Sequence, residues 1–139
     1  MPVKKYLAID YGTKRIGLAV NFSYLVEPLF VLDNNLTRDE PIVSQTALES
    51  IAKLCREKAI EEIVLGLSEA VMAEKTRLFA DLLQTKLALP IHLVDETLSS
   101  QEVAERLKAA AASLKKRQGP IDHYAAALIL EEFLDGVLH

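Results

Sequence analysis

The first third of the chain alternates short apolar runs with turn residues, a pattern typical of β-strands. Residues 4–10 and 15–21 are two such runs, and the short glycine-containing turn between them predicts a hairpin. A third strand is expected over residues 25–33, where Pro28 favours an edge position or a bulge. Two asparagines then mark a turn. The pattern therefore predicts three consecutive antiparallel strands.

From about residue 41 the apolar positions recur with a helical period, and helices alternate with short apolar strands. Helices are expected over about 41–58, 73–87, 99–112 and 121–134, and strands over 63–67 and 91–94. The first helix has a broad apolar face. Phe79, Leu82 and Leu83 are expected to point inward from the second helix.

This order of elements predicts a mixed α/β fold with one five-stranded sheet. Its first three strands would be antiparallel, and its last two would run parallel to the first strand. Helices would then cover both faces of the sheet. The chain has 139 residues and no long linker, so residues 1–139 are expected to form a single domain.

The composition excludes several kinds of site but does not identify one. Half of the residues are hydrophobic and only 6% are aromatic, which predicts an aliphatic core. Cys55 is the only cysteine, which excludes an internal disulfide and a four-cysteine zinc site, and it is expected to be buried. The amino terminus does not resemble a secretory signal, and the longest apolar run is too short to span a membrane. A cytoplasmic protein with no membrane partner is therefore expected.

The net charge of −4 argues weakly against a nucleic-acid partner, but the charge is unevenly distributed. Residues 1–38 carry a net charge of +2 and residues 108–123 a net charge of +3. These segments contain the turn with Lys14 and Arg15 and the basic run 115–117. If they meet in space, an acidic protein would present one positive face. From charge alone, a solvated loop is the favoured interpretation of the basic run.

Acidic residues lie at the carboxyl ends of three predicted strands. Asp10 ends the first strand, Asp95 and Glu96 end the fifth, and Glu69 lies just beyond the fourth. Asp122 begins the last helix. Crevices outside the carboxyl ends of strands are the usual place for a site in an α/β sheet, so Asp10, Asp95–Glu96 and Asp122 are expected to converge.

Converging carboxylates repel one another unless a cation lies between them, and hard oxygen ligands suit Mg²⁺ or Mn²⁺. Two such ions about 3.5–4 Å apart can activate water for phosphodiester hydrolysis. Each acid also has an ordinary structural role: Asp122 suits a helix amino terminus, Asp95 a turn, and Glu69 an exposed helix start. Taken singly, the structural roles are favoured; taken together, the metal site is.

Four segments of the chain carry a more specific pattern. They are Ile9-Asp10-Tyr11-Gly12-Thr13-Lys14-Arg15-Ile16-Gly17, the strand Ile63–Leu67, Val94-Asp95-Glu96-Thr97-Leu98-Ser99-Ser100, and Ile121-Asp122-His123-Tyr124-Ala125-Ala126. Together they resemble the signature segments of the YqgF/RuvX family, in order and with suitable spacing over nearly the whole chain. These are small bacterial proteins with an RNase H-like fold, described as Holliday-junction resolvases or pre-16S rRNA nucleases.

The resemblance implies a nuclease that depends on Mg²⁺ or Mn²⁺, with Asp10, Glu96 and Asp122 as its metal-binding and catalytic residues. Lys14 and Arg15 would contact the phosphate backbone without reading sequence. Two residues of the basic run, Lys116 and Arg117, are further candidates for nucleic-acid contact.

The chain departs from the family pattern at two places. Thr97 stands where arginine is usual after the Asp-Glu pair, so one expected phosphate contact is missing. The loop after the fourth strand, residues 68–76, lacks the usual glycines and leaves Glu69 as a rival acid.

Three functions are compatible with these residues. The first is an endonuclease acting on structured RNA or branched DNA, in 5′-end processing of pre-16S rRNA, Holliday-junction resolution or both. The second is a non-catalytic nucleic-acid-binding module of ribosome assembly. The weakest is a nucleotide phosphate-binding domain, because Asp-x-Gly-Thr before a hairpin also resembles sugar kinases and actin-type ATPases, which need two such domains. A monomer and a homodimer are both compatible with the sequence, and branched DNA would favour a symmetric dimer.

Overall fold

The computed structural model describes residues 3–67, 70–95 and 124–138. Its elements are β1 (Tyr6–Asp10), β2 (Arg15–Phe22), β3 (Leu25–Asp33), α1 (Gln45–Glu57), β4 (Glu62–Leu67), α2 (Ala70–Leu87), β5 (Ile91–Asp95) and α3 (Tyr124–Leu138). The helix predicted over 99–112 lies outside the described residues. So do five site candidates, which are Glu69, Glu96, Lys116, Arg117 and Asp122.

The five strands form one sheet in the order β3-β2-β1-β4-β5. The pairs β1–β2 and β2–β3 are antiparallel, whereas β1–β4 and β4–β5 are parallel. This confirms the predicted mixed sheet and places β1 at its centre. Pro28 lies on β3 at one end of this strand order, and the register with β2 shifts between Gly17 and Ala19, close to the residue that pairs with Pro28. Both roles expected for Pro28, edge strand and bulge, are therefore met.

Alternation of side chains along β1 divides the core into two layers. Leu7 and Ile9 pack with α1 and α2 on one face. Tyr6 and Ala8 pack with α3 on the other face. Helices therefore cover both faces, as predicted. Each fully buried aliphatic side chain such as Leu7 contributes roughly 1.5–3 kcal/mol to this packing.

The layer against α3 contains four alanines among its larger side chains. Ala8 and Ala19 of the sheet meet Ala126 and Ala127 of the helix, and all four are almost completely buried. Small side chains on both surfaces let the helix lie close to the strands. Asp10 continues the alternating series of Tyr6 and Ala8, so its side chain lies on this same face.

The predictions about the helices were wrong in several details. α2 begins at Ala70 rather than near residue 73, and α3 continues to Leu138 rather than ending near residue 134. The first helix begins at Gln45 rather than near residue 41, because the Ser44 hydroxyl accepts a hydrogen bond from the backbone N–H of Ala47 at 3.1 Å and caps the helix there. Leu82 is 42% exposed rather than inward. The buried side of α2 is formed by Phe79 and Leu83, one turn apart, and Leu82 lies beside that stripe.

The apolar face predicted for α1 is confirmed in full, and Cys55 is buried on it. Among the described helices, none combines the length and the hydropathy needed to cross a membrane.

Candidate functional site

Asp10 ends the central strand with a glycine beside it on each neighbouring strand. Its register partners are Gly17 on β2 and Gly66 on β4. Directly opposite positions normally supply the lateral side-chain contacts of a sheet residue. With glycine at both, the Asp10 side chain receives no such contact from either side. The sequence shows Gly17 and Gly66 only as parts of motifs, because their positions beside Asp10 follow from the pairing register.

The carboxylate of Asp10 is partly buried, and this burial raises its pKa to about 6. The cause is desolvation, which disfavours the charged form. Within the described part of the chain, no lysine, arginine or histidine forms an ion pair with Asp10. A partly buried carboxylate without a cation is a donor that a metal ion would stabilise.

The fifth strand brings its carboxyl end near Asp10. Asp10 pairs with Gly66, and Gly66 pairs in turn with Val94. Neighbouring strands are about 4.8 Å apart, so the Cα atoms of Asp10 and Val94 are about 10 Å apart. The strand ends at Asp95, and Glu96 follows immediately, outside the described residues.

The last helix also approaches this end of the sheet. Phe133, in the second half of α3, packs edge-on against Tyr6 at the first residue of β1, with ring centroids 5.1 Å apart. Ala126 and Ala127, near the start of the helix, belong to the buried cluster that holds Ala8, which lies nearer to Asp10 on β1 than Tyr6 does. The first residue of the helix, Tyr124, is therefore on the Asp10 side of Phe133. Asp122 is two residues before that point and outside the described range.

The turn after Asp10 is tightly closed. A Cβ atom at Gly12 would overlap the carbonyl oxygen of Arg15, so only glycine fits the turn as it stands. The Tyr11 hydroxyl donates to the carbonyl of Ile42 at 2.6 Å, and the Tyr11 ring stacks on Phe79 with centroids 4.7 Å apart. These contacts fasten the start of the turn to the core.

Asn34 holds the rest of the turn by hydrogen bonds, a role that the sequence did not predict. Its side-chain amide donates to the carbonyl of Gly12 at 3.1 Å, and its backbone N–H donates to the carbonyl of Lys14 at 2.8 Å. The side chains of Lys14 and Arg15 are exposed on the turn thus held. The sequence marked Asn34 only as a turn residue, because its partners lie about 20 positions away.

Of the predicted site residues, the structure describes the positions of Asp10, Lys14 and Arg15 and places them on one strand end and its turn. No group of three or more histidine, cysteine or acidic side chains suited to a metal occurs among residues 3–67, 70–95 and 124–138. Of the predicted metal set, Asp10 lies within the described residues, and its carboxylate oxygens suit a hard cation.

A second polar cluster lies at the opposite end of the sheet. Glu62, at the start of β4, accepts hydrogen bonds from Lys4 at 2.6 Å and from His92. The His92 ring lies 5.0 Å from that of Phe133. His92, which has no metal-ligand spacing, therefore takes part in a structural contact.

A comparison of the chain with known families matches residues 4–136 to the RuvX model, described as Holliday junction resolvase. The chain belongs to the RuvX family. A RuvX relative from Koribacter versatilis, named "Putative pre-16S rRNA nuclease", is 35% identical over 137 residues that cover 94% of this chain and 86% of the relative. A relative of the same name from Halothermothrix orenii is 35% identical over 140 residues, with 94% of each chain covered.

Solved structures confirm the RNase H-like fold of this RuvX chain. Thermus thermophilus RuvC in complex with a Holliday junction substrate superposes with a TM-score of 0.61 and 16% identity, covering 98% of this chain and 96% of the other. The fowlpox virus resolvase in complex with Holliday junction DNA gives a TM-score of 0.59 and 12% identity, covering 97% and 99%. At these identities the likeness concerns the fold alone.

Proposed function

We propose that this RuvX chain is a divalent-metal-dependent endonuclease that hydrolyses phosphodiester bonds in structured nucleic acid. The observation that carries the proposal is the state of Asp10. Its carboxylate is partly buried at a strand end between two glycines, has no cation among the described residues, and lies beside an exposed basic turn. A metal ion would neutralise this carboxylate and bind a phosphate oxygen.

In this proposal Asp10, Glu96 and Asp122 hold Mg²⁺ or Mn²⁺ and form the catalytic set. The β1–β4–β5 register supports it, because β5 ends near Asp10, one residue before Glu96. The direction of α3 supports it as well, because the helix begins toward the Asp10 end, two residues after Asp122. When bound, the metal would activate water and stabilise the leaving oxygen.

The basic residues have a separate role in the proposal, because they bind the substrate. Lys14 and Arg15 bind backbone phosphates next to Asp10, and Lys116 and Arg117 add further phosphate contacts. Such contacts position the nucleic acid without selecting its sequence.

We favour 5′-end processing of pre-16S rRNA as the biological reaction, because curated relatives that align with this chain over almost their whole length carry that name. Resolution of Holliday junctions is the second candidate, supported by the family description and by similarly folded resolvases bound to junctions. A cytoplasmic location and a single domain, as monomer or homodimer, belong to the same proposal.

The test is cleavage of two labelled substrates, a precursor 16S rRNA fragment and a four-way DNA junction, in Mg²⁺, Mn²⁺ or EDTA. We expect metal-dependent cleavage that Asp10→Asn lowers by about 100-fold or more, since losing a metal ligand removes several kcal/mol of transition-state stabilisation. Asp81→Asn changes an exposed carboxylate on α2 and should leave the rate unaltered.

Robust metal-dependent cleavage by Asp10→Asn would contradict the assignment of Asp10. Salt-dependent RNA binding by the unaltered chain without any metal-dependent turnover would instead favour the non-catalytic ribosome-assembly module.

A further inference from the structure

Two buried asparagines brace β1 and β2 at opposite ends. Asn21, near the end of β2, is 1% exposed, and Asn34, just after β3, is 3% exposed. The Asn21 side chain accepts from the N–H of Tyr6 at 2.8 Å and donates to the carbonyls of Lys4 at 2.9 Å and Ser23 at 2.8 Å. It thus holds the end of the hairpin that lies away from Asp10.

Asn34 makes the corresponding set of bonds at the Asp10 end. Its side-chain amide donates to the carbonyls of Gly12 and Ile42, each at 3.1 Å, and its side-chain oxygen accepts from the N–H of Ser44 at 2.9 Å. Its own backbone N–H donates to the carbonyl of Lys14 at 2.8 Å. Asn34 therefore binds the turn backbone both before and at Lys14.

We propose that Asn34 is a positioning residue for phosphate binding, which holds the turn so that the Lys14 side chain is presented beside Asp10 in one geometry. The inference rests on the proposed function. Lys14 is exposed, so its side chain loses freedom when it binds a phosphate. A turn whose backbone is already fixed does not add a further ordering cost to that loss.

An asparagine suits this position for a chemical reason. It must satisfy two carbonyl acceptors and one N–H donor at once, which a primary amide can do and an apolar or hydroxyl side chain cannot. The Ile42 carbonyl also accepts from the Tyr11 hydroxyl, but leaving the Gly12 carbonyl and the Ser44 N–H without partners would cost about 1–3 kcal/mol each.

The two asparagines provide a matched pair of variants. Asn34→Asp keeps the size of the side chain and the acceptor for Ser44, but it loses the donors to Gly12 and Ile42. Asn21→Asp likewise keeps the acceptor for Tyr6 and loses two donors to carbonyls. Both variants should lower the thermal midpoint, and only Asn34→Asp should weaken nucleic-acid binding beyond its loss of folded protein.

Binding is measured by fluorescence anisotropy in EDTA, with a labelled four-way DNA junction and a labelled RNA hairpin. The temperature is kept well below the lowest thermal midpoint among the proteins compared. For Asn34→Asp we expect affinity to fall about five- to tenfold and the slope of log K against log salt to lose roughly one unit, as for one lost phosphate contact. Lys14→Gln should give the same loss in the unaltered chain and little further loss in Asn34→Asp.

An Asn34→Asp variant that matches Asn21→Asp in affinity and salt slope would overturn the positioning role, as would additive losses from Asn34→Asp and Lys14→Gln. If Asn34→Asp does not fold, Gly12→Ala disturbs the same turn from within and must show the same loss of slope. Failure of the unaltered chain to bind either probe would overturn the proposed function and this inference together. Metal-dependent cleavage with no Asn34-specific change would overturn the inference alone.

Discussion

Folding removes the carboxylate of Asp10 partly from water. The strand Tyr6–Asp10 is otherwise apolar and buried, and its last residue brings a carboxylate onto the face packed by α3. Burial raises the pKa of this group to about 6, from an ordinary value of 3.8. The charged form is thus less stable in the folded protein than in the unfolded chain, and only a partner can offset that difference.

We expect Asp10→Asn to raise the free energy of unfolding at pH 7.5 in EDTA. When folding raises the pKa of a carboxyl group, the free energy of unfolding falls as pH rises from the unfolded-state pKa to the folded-state pKa. For Asp10 this loss of stability is therefore complete above about pH 6. The substitution removes a penalty on the order of 3 kcal/mol. Urea denaturation of the two proteins measures the difference, with Asp81→Asn as the control. A destabilised Asp10→Asn would mean that another group already balances the charge.

Divalent metal should cancel most of that difference in stability. At a Mn²⁺ concentration about 100 times its dissociation constant, binding to the folded state would stabilise the unaltered chain by about 2.7 kcal/mol. Asp10→Asn lacks the ligand and should gain much less. Thermal melts in Mn²⁺, Mg²⁺ and EDTA measure this without any nucleic acid, and equal metal effects on both proteins would remove Asp10 from the metal site.

The turn between β1 and β2 is held in place by residues that lie outside the turn itself. Tyr11 is stacked on Phe79 of α2, and Asn34 bonds the backbone of Gly12 and Lys14. A basic turn on a mobile hairpin would be a poor binding element. Here it is fixed by contacts from three separate parts of the chain.

Two glycine substitutions should have opposite effects. Gly12→Ala places a methyl group on the carbonyl oxygen of Arg15, and the backbone must shift at a cost of about 1–3 kcal/mol. At Gly136, in α3, an added Cβ meets nothing within 4 Å, so Gly136→Ala should stabilise by up to about 1 kcal/mol through helix propensity. Chemical denaturation compares them, and a neutral Gly12→Ala would show that the turn can relax.

Across the whole molecule, the two ends of the sheet carry different chemistry. The carboxyl end of β1 holds a basic turn and Asp10, which forms no ion pair with a lysine, arginine or histidine among the described residues. The other end is tied by Glu62 on β4, which is buried and bonded to Lys4, just before β1, and to His92 on β5, the two strands that flank β4. Polar bonding at the second end is satisfied, which suits a structural role.

This tie predicts how stability responds to acid. Hydrogen bonds from Lys4 and then His92 hold the pKa of Glu62 below its ordinary 4.5. Its stabilisation is therefore complete above pH 4.5 and is lost as pH falls through the lower folded value. Glu62→Gln should lower the thermal midpoint at pH 6 and flatten its fall toward pH 3. Glu74→Gln, at an exposed position on α2, should change neither; an unchanged acid limb in Glu62→Gln would contradict the tie.

Much of this architecture could be predicted because its causes are local. Short apolar runs on either side of a glycine-containing turn identified the hairpin strands, the 3.6-residue period identified the buried face of α1, and Pro28 indicated an edge. The start of α1 was misplaced because the apolar period does not mark where a helix begins, whereas the Ser44 cap, whose hydroxyl accepts from the N–H of Ala47, does. Leu82 was misplaced because several apolar residues of α2 compete for a buried stripe that packing decides.

Local sequence accounts for the order of strands and helices, the acid at the end of β1 and membership of the RuvX pattern, since each depends on neighbouring residues and their spacing. The position of Asp10 between Gly17 and Gly66, and the hold of Asn34 on the basic turn, depend instead on the folded sheet. Strand register and buried hydrogen bonds join residues far apart in the chain. They are settled when the sheet and its covering helices pack together, and no local pattern records them.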